Sequence, residues 1–194
     1  MVIDVSSASG VPSSLIKRVL DEADAIWRAS GFSFVWQRAA REIVPYTLVS
    51  ETKPSLPAAL RVVIGEDRGL TRNNRTPLGW IVFDDEREPQ REIYVSRANA
   101  VALMEMSREV VGIVTQMPVT QREVLLARAM GRALAHELAH YLLASKAHTP
   151  HGLLQATRTA SELFGADQRG FRIDAVQRQQ IVARLRDERL VVSR

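Results

Sequence analysis

Residues 120–154 read TQREVLLARAMGRALAHELAHYLLASKAHTPHGLL, and all four histidines of the 194-residue chain lie in this stretch, as His136, His140, His148 and His151. His136, Glu137 and His140 spell HExxH. Residues four apart share one face of a helix, so both imidazoles can reach a single metal ion. Glu137, beside the first of them, can then stand next to a metal-bound water and take its proton. The helix is signalled independently. Pro118 stops any earlier helix, Thr120 followed by Glu123 has the spacing of a capping box, and apolar residues recur at helical period from Leu125 and Leu126 through Ala129, Met130, Ala133 and Leu134 to Leu138. Such a helix is expected to be largely buried. Buried histidines with nothing to coordinate would leave polar groups unpaired, which favours a ligand role. Gly131 interrupts a good helix former, so a close packing contact is expected there.

Two histidines do not complete a catalytic zinc site; a third protein ligand is required, with one position left for water. Three residues are candidates. His148 follows His140 by a distance that lets the chain leave the helix near Ser145 and Lys146 and turn back. His151 comes just after Pro150. Glu162 is of the type and spacing that serve in thermolysin-like enzymes. His148 is the expected ligand, with His151 and Glu162 as alternatives.

The rest of the chain reads as one α+β domain over residues 1–194. At 46% apolar content it can bury a sizeable core. Residues 2–5 form a β-branched segment expected to be the first strand. A helix is expected over 14–30, with Leu15, Ile16, Val19, Leu20, Ala23, Ile26 and Trp27 on its apolar face, ending at Gly31. Residues 32–36 read as the second strand, parallel to the first. Pro45, Pro54 and Pro57 mark irregular chain, and LRVVIG at 60–65 is a third strand. Asn73 and Asn74 signal a turn in the polar run 67–77. Strands are expected at 78–83 and 92–96, separated by the charged stretch 84–91, where carboxylates read as a solvated turn rather than a calcium loop. A helix is expected over 98–114, its methionines filling core. Residues 158–170 carry no clear signal, and a polar helix capped by Asp174 spans 174–188, with Val176, Ile181, Val182 and Leu185 on its apolar side.

Composition narrows the partners. The net charge is +4, and only Lys17, Lys53 and Lys146 are lysines, so arginine supplies most of the 26 basic residues. These are interleaved with 22 acids, the pattern of a solvated surface rather than a nucleic-acid footprint. No apolar run is long enough to span a membrane. The first residues lack the basic flank and apolar core of a signal peptide, which leaves the compartment open between a cytoplasmic chain and a secreted or periplasmic mature form. With no cysteine, disulfides and thiolate zinc ligands are excluded. Oligomeric state is not legible.

The stretch HELAHYLLASKAHTPHGLL resembles the zinc region of metzincin-type metalloproteases. It is most similar to small bacterial metzincin-like domains carrying HE-x-GHYLL and, further on, HS-x-x-GLM. The opening GVPSSLIKRVLDEADAIWRASGFSFVW is similar to the first helix and second strand of those domains. The resemblance implies a zincin-like fold, with a mixed twisted sheet of about five strands, an N-terminal helix, the zinc-binding helix and a C-terminal helix. It implies His136, His140 and His148 as zinc ligands and Glu137 as general base, with Leu154 where such families place the turn methionine beneath the metal. An edge strand, from residues 80–83 or 93–95, would align a peptide substrate. The expected function is therefore zinc-dependent peptide hydrolysis. Its alternative is a non-catalytic zinc-stabilised binding module, closed by all four histidines.

Overall fold

In the computed structural model, which describes residues 1–38, 59–69 and 76–192, the chain runs β1 (Val2–Ser7), α1 (Ser13–Ala29), β2 (Val35–Arg38), β3 (Leu60–Gly65), β4 (Gly79–Asp85), β5 (Glu88–Ser96), α2 (Arg97–Met106), α3 (Arg108–Val111), α4 (Val119–Leu143), α5 (Ala160–Phe164) and α6 (Ala175–Val192). The prolines at 45, 54 and 57 and the Asn73–Asn74 turn lie outside the described residues. The class is α+β. The five strands form one mixed sheet in the order β2-β1-β3-β5-β4, parallel except for the antiparallel β4–β5 pair.

Alternation along the strands makes this sheet two-faced. Ile3 and Val5 pair in register with Leu60 and Val62, and Val62 and Ile64 with Ile93 and Val95; all seven side chains are buried. The opposite face carries Asp4, Arg61 and Glu92, with Arg61 and Glu92 in register and 3.3 Å apart. Period-2 patterning of this kind leaves only one face needing a cover. The stripe of α1 expected from periodicity is buried residue for residue, from Leu15 to Trp27. Each leucine, isoleucine and valine among them contributes about 1.5–3 kcal/mol on leaving water. Trp27 also meets Phe32 and Phe34 edge-on, with centroids 5.6 and 5.7 Å away.

Helix α4 packs against α1, and Gly131 lies tight against it. A Cβ there would lie 2.6 Å from Glu22 Cβ and 2.8 Å from the Val19 carbonyl oxygen. Gly131→Ala therefore sets a helix-propensity gain of about 1 kcal/mol against an overpacking cost of about 1–3 kcal/mol. The expected result is a lower melting temperature, measured by thermal denaturation; an unchanged or higher one would contradict the close α1–α4 contact.

Several sequence expectations are corrected. No capping box forms at Thr120: α4 starts at Val119 behind Pro118 without a side-chain cap. Glu123 instead accepts from the Ser14 hydroxyl at 3.1 Å and lies 4.0 Å from Arg18, which ties the start of α4 to α1. The second strand is Val35–Arg38 rather than 32–36, because Phe32 and Phe34 are drawn onto Trp27. The charged stretch 84–91 is mostly strand: β4 and β5 continue to Asp85 and from Glu88, the arms of a hairpin whose polar residues face solvent. The helix expected over 98–114 breaks at Ser107, whose hydroxyl donates to the Leu103 carbonyl at 2.7 Å, and again at Gly112 with φ 91°. Met104 is buried there, but Met106 is exposed. In α6, Ile181 is buried and Val176 is exposed. Asp174 does cap α6, accepting from the Gln177 amide at 2.7 Å while the Gln177 side chain accepts from the Asp174 amide at 3.0 Å. Among the described residues no helix is long and apolar enough to cross a membrane.

Candidate metal centre

His136 and His140 project from α4 four residues apart and so share a face. The chain leaves that helix through Ala144, which takes the left-handed conformation (φ 47°, ψ 48°), and the Ser145 amide donates back to the His140 carbonyl at 3.2 Å. The return path is fixed by a short bridge between Thr149 and Gln155 and by the Thr149 amide donating to the Leu154 carbonyl at 3.0 Å. This brings His148 over the helix. The ring centroids of His136, His140 and His148 are 4.6–5.3 Å apart, and one ligand nitrogen from each falls within 4.8 Å of the others.

The hydrogen bonds around the rings bear on what this cluster can hold. His136 Nδ1 donates to the Leu153 carbonyl at 2.8 Å and His140 Nδ1 donates to the Ser145 carbonyl at 2.7 Å. A carbonyl can only accept, so both Nδ1 atoms carry the proton and both Nε2 atoms carry a lone pair. Those Nε2 atoms face each other at 3.0 Å. Two lone pairs at that separation cannot bond to each other; they suit a cation placed between them. Nδ1–H to a backbone carbonyl is also the usual way a ligating imidazole is held. The donor set and its spacing thus fit a divalent metal that takes nitrogen ligands.

Electrostatics point the same way. Burial, reinforced by the neighbouring His140, pushes the His136 imidazole down to about 3, and burial pushes His140 down to about 4. His148, more exposed, is lowered by burial as well. Neutral imidazoles are the form that coordinates. Glu137 is buried against the sheet, and burial pushes its carboxyl up to about 8, partly opposed by a hydrogen bond from the Ile81 amide of β4. Gly79 makes room for it: a Cβ at that position would lie 3.2 Å from Glu137 Cγ.

These shifts predict a stability profile for the metal-free protein. Between pH 6.5, the ordinary imidazole value, and about 4, the unfolded chain binds protons on His136 and His140 that the folded chain does not, so acidification favours unfolding. Glu137 runs the other way. Between 4.5 and about 8 the folded carboxyl holds a proton that the unfolded one has lost, so its contribution falls as pH rises. Two imidazoles outweigh one carboxyl below 6.5, and the carboxyl acts alone above it. Melting temperature measured in chelator is expected to peak near pH 6.5, whereas a continued rise through pH 8 would contradict a buried, protonated Glu137.

Of the alternative third ligands, neither His151 nor Glu162 joins the cluster. His151 is exposed, its carbonyl accepting from the Thr149 hydroxyl at 2.7 Å. Glu162 closes a capping box with Thr159 at the start of α5 and receives Arg158 at 3.0 Å. Leu154, at the position expected beneath the metal, is buried and apolar. Of the two candidate edge strands, residues 93–95 lie inside the sheet between β3 and β4, which leaves β4 at the margin among the described residues. The sequence reading missed the groups that orient the cluster: the Leu153 and Ser145 carbonyls, the Ile81 amide and Gly79. Backbone groups carry no residue-type signal, and only Gly79, beside the aromatic Trp80, left any trace. No protein-family model matches the chain, and comparisons with curated proteins and with solved structures find no significant match.

Proposed function

We propose that the chain is a zinc-dependent peptidase with a zincin-like, metzincin-related architecture. The observation that carries this reading is the pair of Nε2 lone pairs converging at 3.0 Å beside His148, on the same helix as Glu137. His136, His140 and His148 are the zinc ligands. Held by these three imidazoles, zinc would supply Lewis acidity, lowering the pKa of a bound water to about 7 and polarising a peptide carbonyl. Glu137 is the general base: it takes the proton of the attacking water and returns it to the departing amine. A carboxyl that burial alone would keep protonated near neutrality ionises when a cation stands beside it, because opposite charge lowers its pKa. Leu153 and Ser145 hold the two helix imidazoles in the tautomer that leaves Nε2 free. The substrate is a peptide or protein segment in extended form, added along β4, the outer strand among the described residues, which runs over Glu137 through Gly79 and Ile81.

The test is incubation of the zinc-loaded protein with a mixed-sequence peptide library, followed by mass spectrometry. Cleavage lost on chelation and restored by zinc is expected. A loaded protein that cleaves nothing, with its metal held by four protein ligands, would fit instead the closed, non-catalytic binding module.

A further inference from the structure

Arg158 lies outside the HExxH helix, yet its side chain is 9% exposed and both terminal nitrogens of its guanidinium are hydrogen-bonded. Nη2 donates to the Gly152 carbonyl and, at 2.9 Å, to the Gly170 carbonyl. Nη1 donates to Glu162 at 3.0 Å, and the guanidinium plane lies 4.3 Å from the centroid of the Phe171 ring. The segment it grips is the one that holds His136. Gly152 takes φ 80°, and a Cβ there would lie 2.8 Å from the Arg172 carbonyl oxygen, so the turn is pressed directly onto residues 170–172. The next amide, that of Leu153, donates to the same Arg172 carbonyl at 2.8 Å, and the Leu153 carbonyl receives His136 Nδ1. From the α4 side, Arg132, one helical turn before His136, places its guanidinium 4.7 Å from the same Phe171 ring.

We infer that Arg158 is a positioning residue of the metal centre: by pinning the Gly152 and Gly170 carbonyls together, it fixes the Leu153 carbonyl that aims the His136 ring at His140 and His148. The inference rests on the metal-site reading above. It requires the planar fork of arginine, since two carbonyls, one carboxylate and a ring face are engaged at once, and a lysine ammonium cannot reproduce that.

The test compares the full-length wild type with Arg158→Met, Arg158→Lys and, as a control that loses core packing elsewhere, Ile64→Val. Zinc affinity is read by competition with a chromophoric chelator, and the geometry around the metal by the visible spectrum of the cobalt-substituted protein. Arg158→Met is expected to weaken zinc binding by about tenfold, the loss typical of an outer-shell partner, with displaced cobalt bands. Arg158→Lys is expected to change both in the same direction by less, and Ile64→Val to change neither. Should Arg158→Met fail to fold, Arg158→Lys carries the comparison. Arginine variants that bind zinc as tightly as wild type with an unchanged cobalt spectrum would overturn the positioning role and leave the site intact. A wild type that takes up no metal would overturn the site and this inference with it.

Discussion

Glu137→Gln is expected to keep the zinc content of wild type and to cut peptide hydrolysis by about 10²–10⁴-fold, the contribution of one well-placed general base. The amide is the same size as the carboxyl, so it fits the space that Gly79 leaves open, and its oxygen can still accept from the Ile81 amide. What it loses is the ability to accept a proton. Fold and metal are thereby separated from chemistry. Burial also makes the substitution mild for the fold, because a neutral group replaces one that burial already disfavours as an anion. The comparison is made by steady-state cleavage of whichever library peptide the wild type cuts, with zinc content measured on the same samples. Equal cleavage rates at equal zinc content would remove Glu137 from the mechanism.

The second large effect is on stability. A ligand that binds only the folded chain stabilises it by mass action, by about 4 kcal/mol when present at a thousand times its dissociation constant. For a chain of this length each kcal/mol moves the melting temperature by about 2–4 °C, so chelation is expected to lower it by about 10 °C. The structure gives a further reason for a large response. Without a cation, the facing Nε2 atoms of His136 and His140 repel, and His140 and Glu137 are buried with their proton equilibria displaced. Differential scanning calorimetry with and without chelator measures the shift. In His148→Ala the two traces are expected to nearly coincide, because two remaining imidazoles hold zinc weakly. A wild type indifferent to chelator would show that the cluster does not couple metal to folding.

What the sequence revealed, and what it hid, follows from the range of the interactions involved. The apolar stripe of α1 and the HExxH spacing are local periodicities, and they translated directly into a buried helix face and two imidazoles on one side of α4. Strand β3 was legible for the same reason: LRVVIG has no competing local pattern, and its bounds agree with the structure. Errors arose where a local signal met a distant partner. Thr120 and Glu123 have capping-box spacing, but Glu123 is claimed by Ser14 and Arg18, more than a hundred residues earlier in the chain. Phe32 and Phe34 have strand propensity, but Trp27 holds them back before β2 begins. Glu88 to Arg91 look like a turn because they are polar, yet they extend β5 past the core, where polarity carries no penalty.

The candidate site divides in the same way. Spacing alone could place His136, His140 and Glu137, and it left three residues open for the remaining ligand. Sequence favoured His148 among them, and its place beside His136 and His140 depends on the path of the chain after α4, set by Ala144 in the left-handed region and by the Thr149–Gln155 bridge. Glu162 was a reasonable alternative by type, but Arg158 and Thr159 occupy both of its carboxylate oxygens. Arg158 itself sits in a stretch with no periodic signal, and two of its partners are backbone carbonyls, which no reading of residue types can reveal.

The most direct test of the account is elemental analysis of the purified protein for wild type, His148→Ala and His151→Ala side by side. About one zinc per chain is expected in wild type and in His151→Ala, with near-complete loss in His148→Ala, where one of three protein ligands is removed. Stoichiometric zinc retained by His148→Ala, or no zinc in wild type even after incubation with the metal, would contradict it.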